Sequence, residues 1–156
     1  TRQVGENSYV IVPEPDRLTI GDWGPQGYHF YSGNMVYRRS IRCARRLGQR
    51  TVLRLNQPAG THFEVRVNNQ TAGLLGWQPW ELDITEFLGS ENNDLEIIVY
   101  GSLRNTFGPL HNRQYLEKGN NWWIGPEAFA DEANWTDRYV FTPYGLLGGA
   151  ELITFE

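Results

Sequence analysis

The sequence predicts an all-β fold, a jelly-roll β-sandwich, on three observations. Period-two apolar runs recur along the chain, and Phe63, Val65 and Val67 alternating with Glu64 and Arg66 are the clearest of them. No window sustains the i, i+3, i+4, i+7 apolar stripe of an amphipathic helix, and 17 Gly and 8 Pro interrupt the chain throughout. Short β-rich runs separated by turn residues point to a two-layer sandwich with jelly-roll connections.

In chain order, Tyr9 to Val12 is a first short strand, ended by Pro13-Glu14-Pro15. Met35 to Cys43 and Thr51 to Asn56 follow, the second closed by the turn Pro58-Ala59-Gly60. Phe63 to Val67 runs into Asn68-Asn69, residues that tolerate the positive φ of a two-residue hairpin turn, and a return strand is expected near Thr71 to Leu74. Glu81 to Leu88 reads as an extended piece entering a capped turn. Asp83 there offers its oxygens to the free N–H groups of Thr85 to Leu88. Leu95 to Tyr100, Arg138 to Thr142 and Ala150 to Phe155 complete the set. Two long segments, Gly21 to Gly33 and Ser102 to Asn134, carry no regular signal, and loops of that length in a compact domain are usually functional or mobile.

At 156 residues the chain is expected to form a single domain, 1–156, able to build a core without disulfides or metals. Cys43 is its only cysteine, which excludes an internal disulfide, and a lone Cys at a strand end reads as a small core hydrophobe. The net charge of −4 argues against nucleic acid as a partner. No run approaches the ~18 apolar residues of a membrane helix, so no membrane partner is expected. Arg38, Arg39, Arg42, Arg45, Arg46 and Arg50 nevertheless cluster in one strand and the loop after it. They form either a solvated basic face or a contact for an anion or an acidic neighbouring domain. Opening on Thr1, with no apolar leader, the sequence is expected to be a fragment of a larger multidomain protein.

The motifs FEVRVNN, QPW, ELDITEFL and NDLEIIV, in that order, resemble the sugar-binding jelly-roll domain of glycoside hydrolase family 2. The family pattern is a V-x-V-N-G hairpin, a Pro-aromatic pair, an "fDiT…L" segment and an "N-x-L-x-I-x-V" strand. Asn69 stands where Gly is usual, a tolerable change in a left-handed turn. Tyr37 to Ile41 and Thr51 to Leu55 fit the family's two preceding strands. FYSGNMVYRR, SLRNTFGPLH and PYGLLGG look like the accessory sandwiches of large bacterial polysaccharide-degrading proteins, α-L-rhamnosidase-like ones included. The resemblance implies a galactose-binding-domain-like fold and a non-catalytic, carbohydrate-associated role beside a separate catalytic domain, in a secreted or periplasmic bacterial protein. A purely structural docking sandwich without sugar affinity is the alternative. The catalytic residues of such enzymes sit on a barrel that nothing in this chain resembles, so none is carried over.

Carbohydrate contacts are expected from Trp122, Trp123, Trp77, Arg104, Asn105 and His111. Trp122 and Trp123, beside Asn120, Asn121 and Glu127, combine flat rings with amide and carboxylate groups, the pairing a sugar site needs. At least one of Trp122, Trp123 and Trp135 is expected to be exposed, with the Trp122-Trp123 pair the first choice. Trp80, in the Pro-aromatic position, reads as a core plug, whereas Trp77 is either a plug or an exposed platform. Arg104, Asn105 and His111 either touch sugar or hold the turn and dock a neighbour; Trp23, Tyr28, His29 and Tyr31 form a comparable set in the first loop. Glu81 and Asp83 share a strand face as a glycosidase pair would, but the capping role of Asp83 is the stronger reading. No cofactor is expected. His29, His62 and His111 lack ligand spacing for zinc, and Asp131, Glu132 and Asp137 are the carboxylates a structural calcium of the jelly-roll type would use.

Overall fold

The computed structural model describes residues 1–108, 110–118 and 125–156. Its strands are β1 (Arg2–Gly5), β2 (Ser8–Val10), β3 (Asn34–Arg42), β4 (Arg50–Leu55), β5 (Pro58–Ala59) and β6 (His62–Val67). After them come β7 (Gln70–Leu75), β8 (Glu81–Asp83), β9 (Asn92–Tyr100), β10 (Gly145–Leu146) and β11 (Ala150–Phe155). The short helices are α1 (Arg104–Phe107), α2 (Arg113–Lys118) and α3 (Glu127–Ala130). The chain divides into two compact units. One comprises Thr1–Leu18, Trp23–Ser32 and Ser102–Pro143, and the other Thr19–Asp22, Gly33–Gly101 and Tyr144–Glu156.

The second unit holds the predicted sandwich strands. An antiparallel four-stranded sheet runs β3-β9-β6-β7, and a three-stranded antiparallel sheet runs β11-β4-β8. The alternation along β6 does what it promised: Phe63, Val65 and Val67 are wholly buried, with Leu53, Leu55, Ile84, Leu95, Ile97 and Val99 in the same core. Trp80, expected as a core plug, is half-buried and sets its ring edge-on to Phe63 at 5.5 Å. Asn68 and Asn69 take φ of 52° and 64°, so the β6–β7 hairpin closes through two left-handed residues as the Asn-Asn pair suggested. Asp83 accepts from the N–H of Thr85 at 3.0 Å and from its hydroxyl at 2.6 Å, holding the turn it was expected to cap.

Buried amides tie the loops of this unit together. Asn93, 1% exposed, accepts from Gly89 N–H at 2.6 Å and Asn68 Nδ2 at 2.7 Å and donates to the Cys43 carbonyl at 2.8 Å. Half of the arginine cluster is paired within the unit. Arg38 pairs with Glu96, Arg45 with both oxygens of Glu86, and Arg50 with Asp83.

On the polar face of β6, Glu64 accepts from Arg66 Nε at 2.6 Å, Tyr100 hydroxyl at 2.9 Å and Thr71 hydroxyl at 3.2 Å. The Arg66 hydrogen bond, then that of Tyr100, holds its carboxyl below the usual glutamate range. A depressed folded-state pKa means that the unfolded chain takes the proton first. The contribution is therefore complete above the ordinary value of about 4.3 and is lost as pH falls through the folded value. Glu64→Gln is expected to flatten the acid limb of the stability profile. Urea midpoints followed downward in pH check it, and parallel limbs for the two proteins would refute the assignment.

The first unit departs from the sequence reading in three respects. Arg138 to Thr142 forms no strand: Val140 N–H bonds the Leu110 carbonyl at 2.7 Å and Thr142 N–H bonds the side chain of Asn105. Its alternating rings instead join an aromatic cluster, in which Tyr139 and Phe141 stack at 5.5 Å and Tyr9, His29 and Phe30 pack edge-on or tilted against them. The segment from Ser102 to Asn134 contains α1, α2 and α3, each of four to six residues, too short to display a helical stripe. The strand expected at Tyr9 to Val12 is β2, which ends at Val10 and pairs with β1, a strand the sequence reading did not include.

Candidate functional site

The candidate site is built on the first unit by the stretch EAFADEANWTD. After α3, Asp131 accepts from Ala133 N–H at 2.9 Å and so caps a single turn, Glu132–Asn134. Asn134 is pinned beneath that turn, donating to the Ala128 carbonyl at 3.2 Å and accepting from Gln114 Nε2 at 3.1 Å. The next residue, Trp135, is thrown outward and stands 58% exposed.

Its indole is not loose. Trp135 lies parallel to the His111 ring at 4.8 Å and 23°, and its Nε1 donates to Asp137 at 3.2 Å. His111 is itself clamped. Its Nδ1 faces the Thr136 carbonyl at 3.1 Å, its backbone oxygen takes the Thr136 N–H, and its ring rests on Tyr139 at 4.5 Å. A carbonyl has no proton to give, so Nδ1 carries the hydrogen of this contact. The Trp135–His111–Tyr139 column thus roots an exposed ring in the aromatic cluster of the unit. Beside it opens a cleft of about 730 Å³, walled by Leu110, His111, Phe129, Glu132, Asn134 and Trp135 among others. A flat ring on a fixed mount, apolar walls and a few polar atoms are the attributes of a small-ligand cleft.

The sequence-predicted residues are distributed unevenly around this arrangement. His111 is in it. Trp122 and Trp123 lie outside the described residues, as do Asn120 and Asn121. Asn105 is 1% exposed, with its amide spent on one residue: Nδ2 donates to the Thr142 carbonyl at 2.8 Å and Oδ1 accepts from Thr142 N–H at 2.9 Å. Arg104 is half-buried, its guanidinium 4.6 Å above the Tyr115 ring. Trp77 belongs to the other unit and is 80% exposed, so of its two readings the plug is excluded. From the first-loop set, Trp23 and His29 are buried.

Trp135 was the least favoured of the three loop tryptophans. The sequence signal that could have promoted it is Asp131, a capping residue four positions ahead that fixes the turn and aims the ring. Asp131, Glu132 and Asp137 do not converge on a calcium position. Among the described residues no group of three or more His, Cys, Asp or Glu gathers as a metal site would need. Glu81 and Asp83 lie on β8 as ion-pair partners of Arg54 and Arg50. Among the described residues no helix is long and apolar enough to cross a membrane.

No family profile and no curated protein matches the chain. Solved structures do. A rhamnosidase from Novosphingobium sp. PP1Y is similar over 86% of this chain at 24% identity, with a TM-score of 0.59. A putative β-galactosidase from Bacteroides fragilis is similar over 81% at 19% identity, with a TM-score of 0.51. The chain spans 12% of the first protein and 16% of the second, so what is shared is one domain-sized portion of each. At these identities the likeness establishes the fold, an all-β sandwich of the kind that large glycosidases carry, in agreement with the resemblance of the hairpin and "fDiT" motifs.

Proposed function

We propose that this chain is a non-catalytic accessory domain of a larger, exported bacterial glycosidase and that it holds glycan in the cleft beside Trp135. The observation that carries the reading is the exposed indole fixed on His111 in the wall of a cleft that is mostly apolar with a few polar atoms. Sugar rings present apolar C–H faces that stack on such a surface, while their hydroxyls seek adjacent acceptors and donors. The engagement of Glu81 and Asp83 in ion pairs on an open strand supports a role other than hydrolysis for them, and fold likeness by itself assigns no chemistry.

Trp135→Ala is expected to weaken glycan binding about tenfold or more, the loss of one stacking platform. Affinity electrophoresis in polysaccharide gels and intrinsic fluorescence titration read this directly. Full affinity in the folded variant would remove Trp135 from the site. A second reading, a structural domain docked on its parent enzyme, draws on Trp77 and Leu74, which are 80% and 65% exposed in one strand-to-loop segment of the second unit. It predicts a folded protein that binds no glycan in either assay.

A further inference from the structure

The Trp135 cleft is lined by charged as well as apolar groups. Between Glu127 and Asp137 the sequence places four carboxylates, Glu127, Asp131, Glu132 and Asp137. Two of them, Asp131 and Glu132, line the cleft, and Asp137 holds the indole N–H. The described residues of the wall include neither Lys nor Arg. Of the cations adjacent in sequence, Arg113 follows the wall residue Asn112 but is not itself in the wall, and Arg138 faces Glu6 at 3.8 Å. An anionic ligand would enter this field against like charge, with no counter-charge among those wall residues to offset it.

The hydrogen-bonding polarity points the same way. Several side-chain N–H groups of the cleft are engaged within the fold: one each of Asn112 Nδ2 and Asn134 Nδ2 on the Ala128 carbonyl, Trp135 Nε1 on Asp137, and His111 Nδ1–H on the Thr136 carbonyl. The amide oxygens are occupied as well, that of Asn112 by Gln114 N–H and that of Asn134 by Gln114 Nε2. The Glu132 carboxylate adds acceptor oxygens to this wall. Acceptors are matched by hydroxyl donors. A neutral pyranose brings several, whereas a carboxylate or sulfate group brings none and needs donors instead.

On the reading that this cleft holds glycan, we infer that it selects uncharged, hydroxyl-rich sugars and excludes uronic-acid and sulfated glycans. Three probes test this by isothermal calorimetry on the full chain at low ionic strength: a neutral β-glucan, a neutral galactan and polygalacturonate. The expected result is saturable binding of at least one neutral polymer, weakened in Trp135→Ala, with no heat from polygalacturonate. Glu132→Gln, a change at an exposed side chain, is then expected to raise the affinity for polygalacturonate at least threefold. Binding of polygalacturonate by the wild-type protein, lost in Trp135→Ala, would overturn the charge selectivity while leaving the glycan cleft in place. No saturable binding of any of the three polymers would overturn the cleft and the selectivity together.

Discussion

Asn93→Ala is expected to cost about 3 kcal/mol of folding stability, because each buried polar group left unsatisfied costs about 1–3 kcal/mol. The side chain is 1% exposed and supplies three short hydrogen bonds to three separate segments. Truncation strands the Gly89 N–H and the Cys43 carbonyl, and it removes one of the partners of Asn68 Nδ2. That group still reaches the Phe87 carbonyl at 3.0 Å, which keeps the loss below a simple sum. The substitution should also loosen the hairpin turn, since Asn68 exchanges two further bonds with Asp94, through its N–H and its Oδ1. Asn93→Asp, which keeps the acceptor but forfeits the donor to Cys43, should be no less damaging. Urea unfolding followed by far-UV circular dichroism measures both variants. A loss under about 1 kcal/mol, the net worth of one ordinary hydrogen bond, would show that water replaces the amide at this node.

Where the sequence could be read, the information was local. Phe63, Val65 and Val67 alternate within five residues, Asn68-Asn69 declares its own turn, and Asp83 bonds a residue two positions away. The Asn93 node was invisible for the opposite reason. It answers to partners 25 and 50 residues off, and a polar residue opening a strand reads as solvated until those partners are placed. The first unit was hidden for the same reason. Tyr9 meets Tyr139 and Phe141 across most of the chain, and those two rings alternate as a strand would while their backbone bonds loops and a side chain. The site was half legible: His111 and the loop tryptophans stood out by type, but only the capped turn at Asp131 decides that Trp135 faces outward.

Of the two readings open for Asn105, sugar contact and turn-holding, its replacement separates a structural amide from a sugar-binding one. Its side chain imitates a backbone pairing, giving and taking one hydrogen bond with Thr142, and so anchors the segment that carries Tyr139 and Phe141. Asn105→Ala is expected to cost about 2–3 kcal/mol, since it leaves the N–H and carbonyl of Thr142 without that partner. Asn105→Asp should fare no better, because it loses the donor and brings a charge into a site 1% exposed. Glycan affinity measured well below the unfolding transition should be retained, because the amide is turned to Thr142 and is absent from the cleft wall. Thermal unfolding paired with affinity electrophoresis distinguishes the two roles. A lowered midpoint with intact native-state binding is the structural outcome. An unchanged midpoint with abolished binding would return Asn105 to the sugar site and require its present bonds with Thr142 to open when ligand enters.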